Sequence, residues 1–211
     1  MGDNLVESGI QDSVRESLGD VAFSVSARVA IQLGRESISN SVVAILELVK
    51  NAYDADADNV WIKFVDLGTE TASLSIEDDG IGMTKSQLVD NWMVIGTDNK
   101  TRLRRSGIKR RVLVGEKGLG RLGLDRLSHV CIVQSFAQEE KTGIELRIDW
   151  RKYEGSGERL ETIRHELYQI PKPTHALRSA QHPEQTSGVR LLLNRLKDSG
   201  SHEDLVLLRR D

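Results

Sequence analysis

Cysteine, proline and aromatic residues are scarce in this chain of 211 residues. Cys131 is the sole cysteine, which rules out an intrachain disulfide, leaves a thiolate zinc site short of ligands, and suits a reducing compartment. Long apolar runs are missing as well. Glu47 interrupts the Val42 to Val49 stretch, and no run approaches the roughly 18 residues needed to cross a bilayer. The first ten residues carry Asp3 and Glu7 and lack the basic-then-apolar order of a secretory signal. The expectation is therefore a soluble, cytoplasmic protein with no membrane partner. Nor is there a dominant charge. Lys and Arg total 29 against 32 for Asp and Glu, a formal net charge of -3, so any nucleic-acid or anionic partner must be met locally. No repeat of 20 to 50 residues is visible, which excludes a solenoid.

What the chain does contain is enough sequence for one compact core, with mixed elements and no strict alternation. From Asn40 to about Ala57, Val42, Ile45, Leu46, Leu48, Val49 and Ala52 recur with helical spacing, and Ser39, Asn40 or Ser41 can cap the start. Val60–Val65 and Leu74–Ile76 alternate as half-buried strands, with a turn around Leu67, Gly68 and Thr69. Thr84 to Met93 reads as an amphipathic helix, and Leu119 to Leu127 as another. Val130–Phe136, Gly143–Ile148 and Val189–Leu193 read as strands. Thr97 to Arg111 has no durable periodicity and carries seven Lys or Arg against one Asp, so a loop is expected. Lys152 to Ser187 is polar, holds all three prolines, and reads as an irregular excursion.

Three clusters can do chemistry. Glu47, Asn51 and Asp54 are spaced by four and three residues, which stacks them on one helix face opposite the apolar residues. They supply a general base, a neutral oxygen ligand for a hard cation, and a hydrogen-bond acceptor. Taken alone, the stripe also fits a solvated polar face. Glu77-Asp78-Asp79-Gly80-Ile81-Gly82-Met83 follows a strand directly; Asp79 can accept from an exocyclic amine while Gly80 and Gly82 allow close backbone approach to a planar base. Taken alone, an acidic glycine turn is an ordinary loop. Gly115-Glu116-Lys117-Gly118-Leu119-Gly120 leads into a helix and can aim backbone N–H groups at phosphate. Gly118, Gly120 and Gly123 also spell a dinucleotide fingerprint, but the strand before it would be only Val112–Val114, and Glu116 and Lys117 intervene.

In this order the clusters resemble the motifs of the GHKL superfamily, which holds gyrase, heat-shock chaperone, histidine kinase and MutL ATP-binding domains. Glu47 to Ala55 is similar to its N-box, Asp79 to Met83 to its adenine box, and Gly115 to Gly120 to its second glycine box. Within the superfamily, Glu77 to Lys100 looks most like MORC-like and chaperone-like prokaryotic ATPases. The resemblance implies an α+β Bergerat fold: a two-layer sandwich with a mixed, mostly antiparallel sheet and helices on one face. It implies ATP and Mg2+ as ligands, Glu47 as the base that activates water, Asn51 as the magnesium ligand and Asp79 as the reader of the adenine amine. Asp54 would support the site, Gly82 and Met83 would line the base pocket, and Lys117, Gly118, Leu119 and Gly120 would hold phosphates. One departure is Gly188-Val189 on the late strand, where members often carry Gly-Thr.

The implied organisation is an extension over 1–22, an ATP-binding domain over 23–196 with a basic lid at 97–117, and a helical tail over 197–211 that could begin a further region. The implied function is an ATPase whose nucleotide state closes the lid and drives ATP-dependent homodimerisation or docking to a partner subunit, switching a larger assembly. A MORC- or MutL-like module that meets nucleic acid through the basic lid is the alternative, although no aromatic residue interleaves there to stack bases. A histidine kinase is a further alternative: His165-Glu166-Leu167 resembles part of a phosphoacceptor box but follows the N-box, and kinases usually carry Asn where Glu47 stands. His165 is read as an incidental surface residue. Turnover by the chain alone is expected to be slow. Gyrase, MutL and MORC relatives receive a lysine from a following domain, and here only about 15 residues follow the last strand.

Overall fold

The computed structural model describes residues 22–96, 105–115, 120–155, 157–173 and 186–197. Most of the expected extension, the two ends of the basic lid (97–104 and 116–117), and all but Lys197 of the expected tail lie outside those residues.

α1, Ala27–Ser37, is a helix that the sequence reading did not anticipate; it buries only Ala27, Ala30, Ile31 and Gly34, a stripe too small-sided to announce itself. α2, Ser41–Asp54, is the expected N-box helix. Asn40 caps it, its side-chain oxygen accepting from Val43 N at 2.9 Å. Asp56, at φ 63, then turns the chain into β1, a left-handed position that a short polar side chain tolerates.

The strands are β1 (Val60–Val65), β2 (Ser73–Asp78), β3 (Ser128–Phe136), β4 (Thr142–Asp149), β5 (Glu166–Pro171) and β6 (Gly188–Leu196). They form one sheet in the order β1-β2-β6-β3-β4-β5. Every pairing is antiparallel, so the expected mixed character is absent among the described residues. β5 corrects the expectation of an irregular excursion. It is an edge strand in which Leu167 and Ile170 are only half-buried, which leaves little alternation to read. The helix expected from Thr84 is wound as a π-helix over Gln87–Trp92, with Met93 N reaching back five residues to Leu88 O at 2.8 Å. The helix after the glycine box is a 3-10 turn, Gly120–Gly123, leading into the short α3, Leu124–Leu127.

The two faces of the sheet are unlike. On one, Leu74, Ile76, Leu191, Leu193, Cys131, Val133, Leu146 and Ile148 stand in register and pack under α1, α2 and α3 with Ile31, Ile45, Leu48 and Leu124. Full burial of each such side chain contributes about 1.5–3 kcal/mol. Cys131 is enclosed there, and burial pushes its thiol well up from the usual range. The other face carries a polar row: Arg190 pairs with Glu77 at 3.3 Å and donates to Gln134 at 3.4 Å, Gln134 donates to Glu145 at 2.7 Å, and Arg147 pairs with Glu145 at 2.7 Å. His165 is half-buried rather than on the surface. It stacks on Tyr153 and shares a 2.7 Å hydrogen bond with its hydroxyl, and burial lowers its pKa, as expected of a neutral packing residue.

Candidate functional site

Helical periodicity brings Glu47, Asn51 and Asp54 to one side of α2, while Ala44, Ile45, Leu48 and Ala52 are buried on the other. Glu47 is partly exposed and pairs with Lys50, Nζ to Oε1 2.8 Å. The 3-10 turn after the second glycine box lies directly on this face. A Cβ at Gly120 would stand 3.6 Å from Glu47 Oε2 and 3.8 Å from Asn51 Nδ2, ordinary van der Waals distances that place the turn's backbone directly over these two side chains. Lys117, Gly118 and Leu119, expected to hold phosphate, lie outside the described residues.

The adenine box begins where β2 ends. Gly82 needs its glycine twice over: φ is 66, and a Cβ would run into the carbonyl of Phe136. The turn is pinned on both sides, with Ile81 N donating to Ala55 O at 3.0 Å and Gln138 N to Ile81 O at 3.0 Å. Met83 is partly buried against the core, and its backbone is fixed by Ser135, whose Oγ accepts from Met83 N at 2.7 Å.

Adjacent aspartates are used differently. Asp79 is 2% exposed, and its carboxylate is engaged by the chain itself. Oδ1 accepts from Asp58 N at 2.7 Å and Asn59 N at 2.8 Å, and Oδ2 from Asn59 Nδ2 at 2.8 Å. Asp78 continues the parity of Leu74 and Ile76, so it shares their helix-covered side of the sheet. Its hydrogen bonds, from Gly80 N at 2.9 Å and Val189 N at 3.3 Å, both fall on Oδ1. Burial raises its pKa to about 6, with Asp79 nearby adding to the rise. A buried carboxylate held on one oxygen is better placed to meet a donor than one enclosed by three N–H groups. Sequence reading passed over Asp78; the signal that identifies it is the alternation Leu74, Ile76, Asp78. Val189, the departure from the expected threonine, stands opposite Asp78 in the sheet register.

Asp54 turns out to hold the chain that returns from the basic segment, accepting from Val114 N at 2.9 Å and Gly115 N at 3.1 Å. Asp56 accepts from Ile108 N at 2.8 Å, and Asp58 pairs with Lys109 and with Arg111 at 3.5 Å. Arg111 also lies over the Tyr53 ring at 4.8 Å and donates to Ala57 O at 2.6 Å. Residues 105–112 are accordingly a bridged turn, Arg105 opposite Val112, and not simply a loop. A cavity of about 440 Å³ opens beside this anchor, lined by Asp56, Asp58, Gly80, Ile81, Lys109 and Thr186 among others. Among the described residues no three His, Cys, Asp or Glu side chains gather as a metal cluster, and no helix is long and apolar enough to cross a membrane.

Comparison with known proteins agrees with this arrangement. The profile of histidine kinase-, DNA gyrase B- and HSP90-like ATPases matches residues 38–183, more than half of the chain. The chain is 29% identical over 128 residues to the chaperone protein HtpG of Wigglesworthia glossinidia brevipalpis, an alignment that covers 50% of this chain and 20% of that protein. It is 50% identical over 44 residues to the ATPase morc-1 of Caenorhabditis elegans, covering 21% of this chain and 5% of the relative. The chain thus spans a fifth or less of the curated relatives it matches.

Proposed function

Because the chain belongs to the histidine kinase-, DNA gyrase B- and HSP90-like ATPase family, we propose that it binds ATP with magnesium on the face shared by α2 and the end of β2, and hydrolyses it. The observation that carries this reading is the seating of Gly120 against Glu47 and Asn51, which sets the end of the glycine box beside a carboxylate and a side-chain amide.

Asp78 is the better candidate for the adenine contact, with Oδ2 toward the exocyclic amine; Asp79 supports it by fixing the Asp58-Asn59 backbone. Gly82 and Met83 flank the base. Asn51 would hold magnesium through its amide oxygen, together with phosphate oxygens and water, and the ion would neutralise phosphate charge there. Such a site suits a hard cation, since magnesium needs few protein ligands. Glu47 takes the proton of a water whose oxygen bonds to the terminal phosphorus as the bond from that phosphorus to ADP breaks. Lys50, 2.8 Å from Glu47, orients the carboxylate.

Nucleotide-dependent lid closure, association of two copies or of a partner subunit, and the switching of a larger assembly extend this reading. The stem that Asp54, Asp56 and Asp58 tie to α2 supports it, because a change at the nucleotide would be felt by the basic segment. Contact with a nucleic-acid backbone is the weaker reading. Of the basic residues described there, Lys109 and Arg111 are occupied by Asp58, which leaves Arg105 and Arg110 outward.

ATP titration with and without magnesium, followed by phosphate release, tests the proposal. Glu47→Ala should keep ATP affinity and lose about 100 to 10,000-fold in rate. Asp78→Asn should weaken ATP binding at least about tenfold, and more than Asp79→Asn does in a folded variant. Parental turnover in Glu47→Ala would remove it as the base, and the reverse order of the two aspartates would return the adenine contact to Asp79.

A further inference from the structure

The residue that follows the second glycine box is an arginine that none of the packing described above explains. A 3-10 turn has three residues per revolution and so presents three faces. Gly120 and Gly123 share one face, against Glu47 and Asn51 and against Ile38, while Leu122 occupies a second, packed on Gly34 of α1. Arg121 takes the third. It reaches Val94 at the entrance to the basic segment, where its guanidinium donates to the Val94 carbonyl.

One such bond does not satisfy a guanidinium. Arg121 Nε is buried and has no hydrogen-bond partner, and among the described residues no carboxylate pairs with the side chain. Arg190, the other arginine with a buried unbonded Nε, has Glu77 and Gln134 for its terminal nitrogens. Arg35 has Asp125 at 2.9 Å, Arg147 has Glu145, and Arg151 has Asp149. Arg121 alone in this group meets only a neutral carbonyl, and desolvation works against its charge. A partly buried cation whose Nε is enclosed without a partner or counter-charge costs stability unless an anion arrives to complete it. The location limits which anion that is, since the preceding residue in the chain, Gly120, lies on Glu47 and Asn51. The helix that follows is only Leu124–Leu127, too short to gather a strong positive end of its own.

We propose that Arg121 is a phosphate-binding residue of this site: its guanidinium, braced by the Val94 carbonyl, gives Nε–H to an oxygen of the nucleotide's phosphate chain. The inference rests on the ATP-binding reading and deepens it, because the chain then supplies a cation to the phosphates from the residue next to its own glycine box.

The test compares MgATP with adenosine on the full chain and on Arg121→Gln and Arg121→Lys. Arg121→Gln should weaken MgATP binding about 10 to 100-fold, the loss expected for a charge-assisted hydrogen bond, and leave adenosine binding within about twofold; Arg121→Lys should recover part of the difference. An equal loss for both ligands would reduce Arg121 to a structural strut, and an unchanged MgATP affinity would remove it from the site. Should the variants not fold, the Arg121 Nε–H resonance of the parental protein reports instead. It should shift with MgATP and not with adenosine, and a resonance indifferent to MgATP overturns the proposal. Failure of the parental chain to bind either ligand would refute the ATP reading beneath it.

Discussion

The two faces of the sheet are made by alternate residues of the same strands, yet they settle polarity in opposite ways. The helix-covered face is apolar from Leu74 and Ile76 through Leu193, Cys131 and Ile148, and its polarity appears at the end of β2 as Asp78. The open face distributes charge along a row in which Glu77, Arg190, Gln134, Glu145 and Arg147 answer one another. The charges of this row are paired within it. Asp78, by contrast, is a carboxylate kept in an environment that disfavours its charge. The proposed adenine contact therefore sits where the apolar layer is interrupted, whereas the face richer in charge pairs its charges with one another.

Substitutions can press on this contrast, beginning with the largest effect. Leu193→Ala, at a fully buried position between Leu74 and Cys131, should cost about 2–5 kcal/mol in denaturant unfolding, because the neighbouring strands cannot close on the cavity. Loss well below that range would mean the covered face is loosely packed. Asp78→Asn should do the reverse. The unfolded carboxyl ionises near 3.9 whereas the folded one does so at about 6, so between those values the native state binds more protons and wild-type stability falls as pH rises. The amide oxygen can still accept from Gly80 and Val189. Removing the charge should therefore stabilise the ligand-free protein by on the order of 3 kcal/mol at pH 7 and by little at pH 4. Thermal unfolding across that range checks it, and equal effects at both ends would disprove the buried charge.

Asp79→Asn should instead destabilise by about 1–3 kcal/mol, since one of its acceptor oxygens becomes a donor among Asp58 N, Asn59 N and Asn59 Nδ2. The smallest effect belongs to the open face. Glu145→Gln should cost about 1 kcal/mol, since the side-chain donors of Gln134 and Arg147 lose a charged acceptor. The Gln134 hydrogen bond, with Arg147 beside it, holds the Glu145 pKa below the ordinary range. Its stabilisation is full above the unfolded value near 4.3 and disappears as pH falls through the lowered folded one. A penalty undiminished in acid would locate the effect in packing.

Much of this architecture was legible in the residues. α2 announced itself because a fourteen-residue amphipathic helix with an Asn cap satisfies periodicity and end chemistry together, and the β1–β2 hairpin alternated clearly. α1 and β5 were not legible. One buries alanine and glycine, which carry little hydrophobic contrast, and the other is an edge whose residues stay mostly exposed. The motif resemblance placed Asp79 at the adenine amine; parity counted from Leu74 is the signal behind the proposal of Asp78 instead. The convergence of Asp54, Asp56 and Asp58 on residues 106–115 was beyond local reading, for Asp-Ala-Asp-Ala-Asp looks like solvated acid until the tertiary partner is in place.

That acidic ladder has a kinetic corollary. Amide protons at Ile108, Val114 and Gly115 are bound to carboxylates of a different part of the chain, so they can reach solvent only when the stem separates from the end of α2. Their exchange clock is then set by that tertiary opening and not by the residues' own lack of regular structure. Three amides in a stretch that the eye takes for loop should keep time with one another.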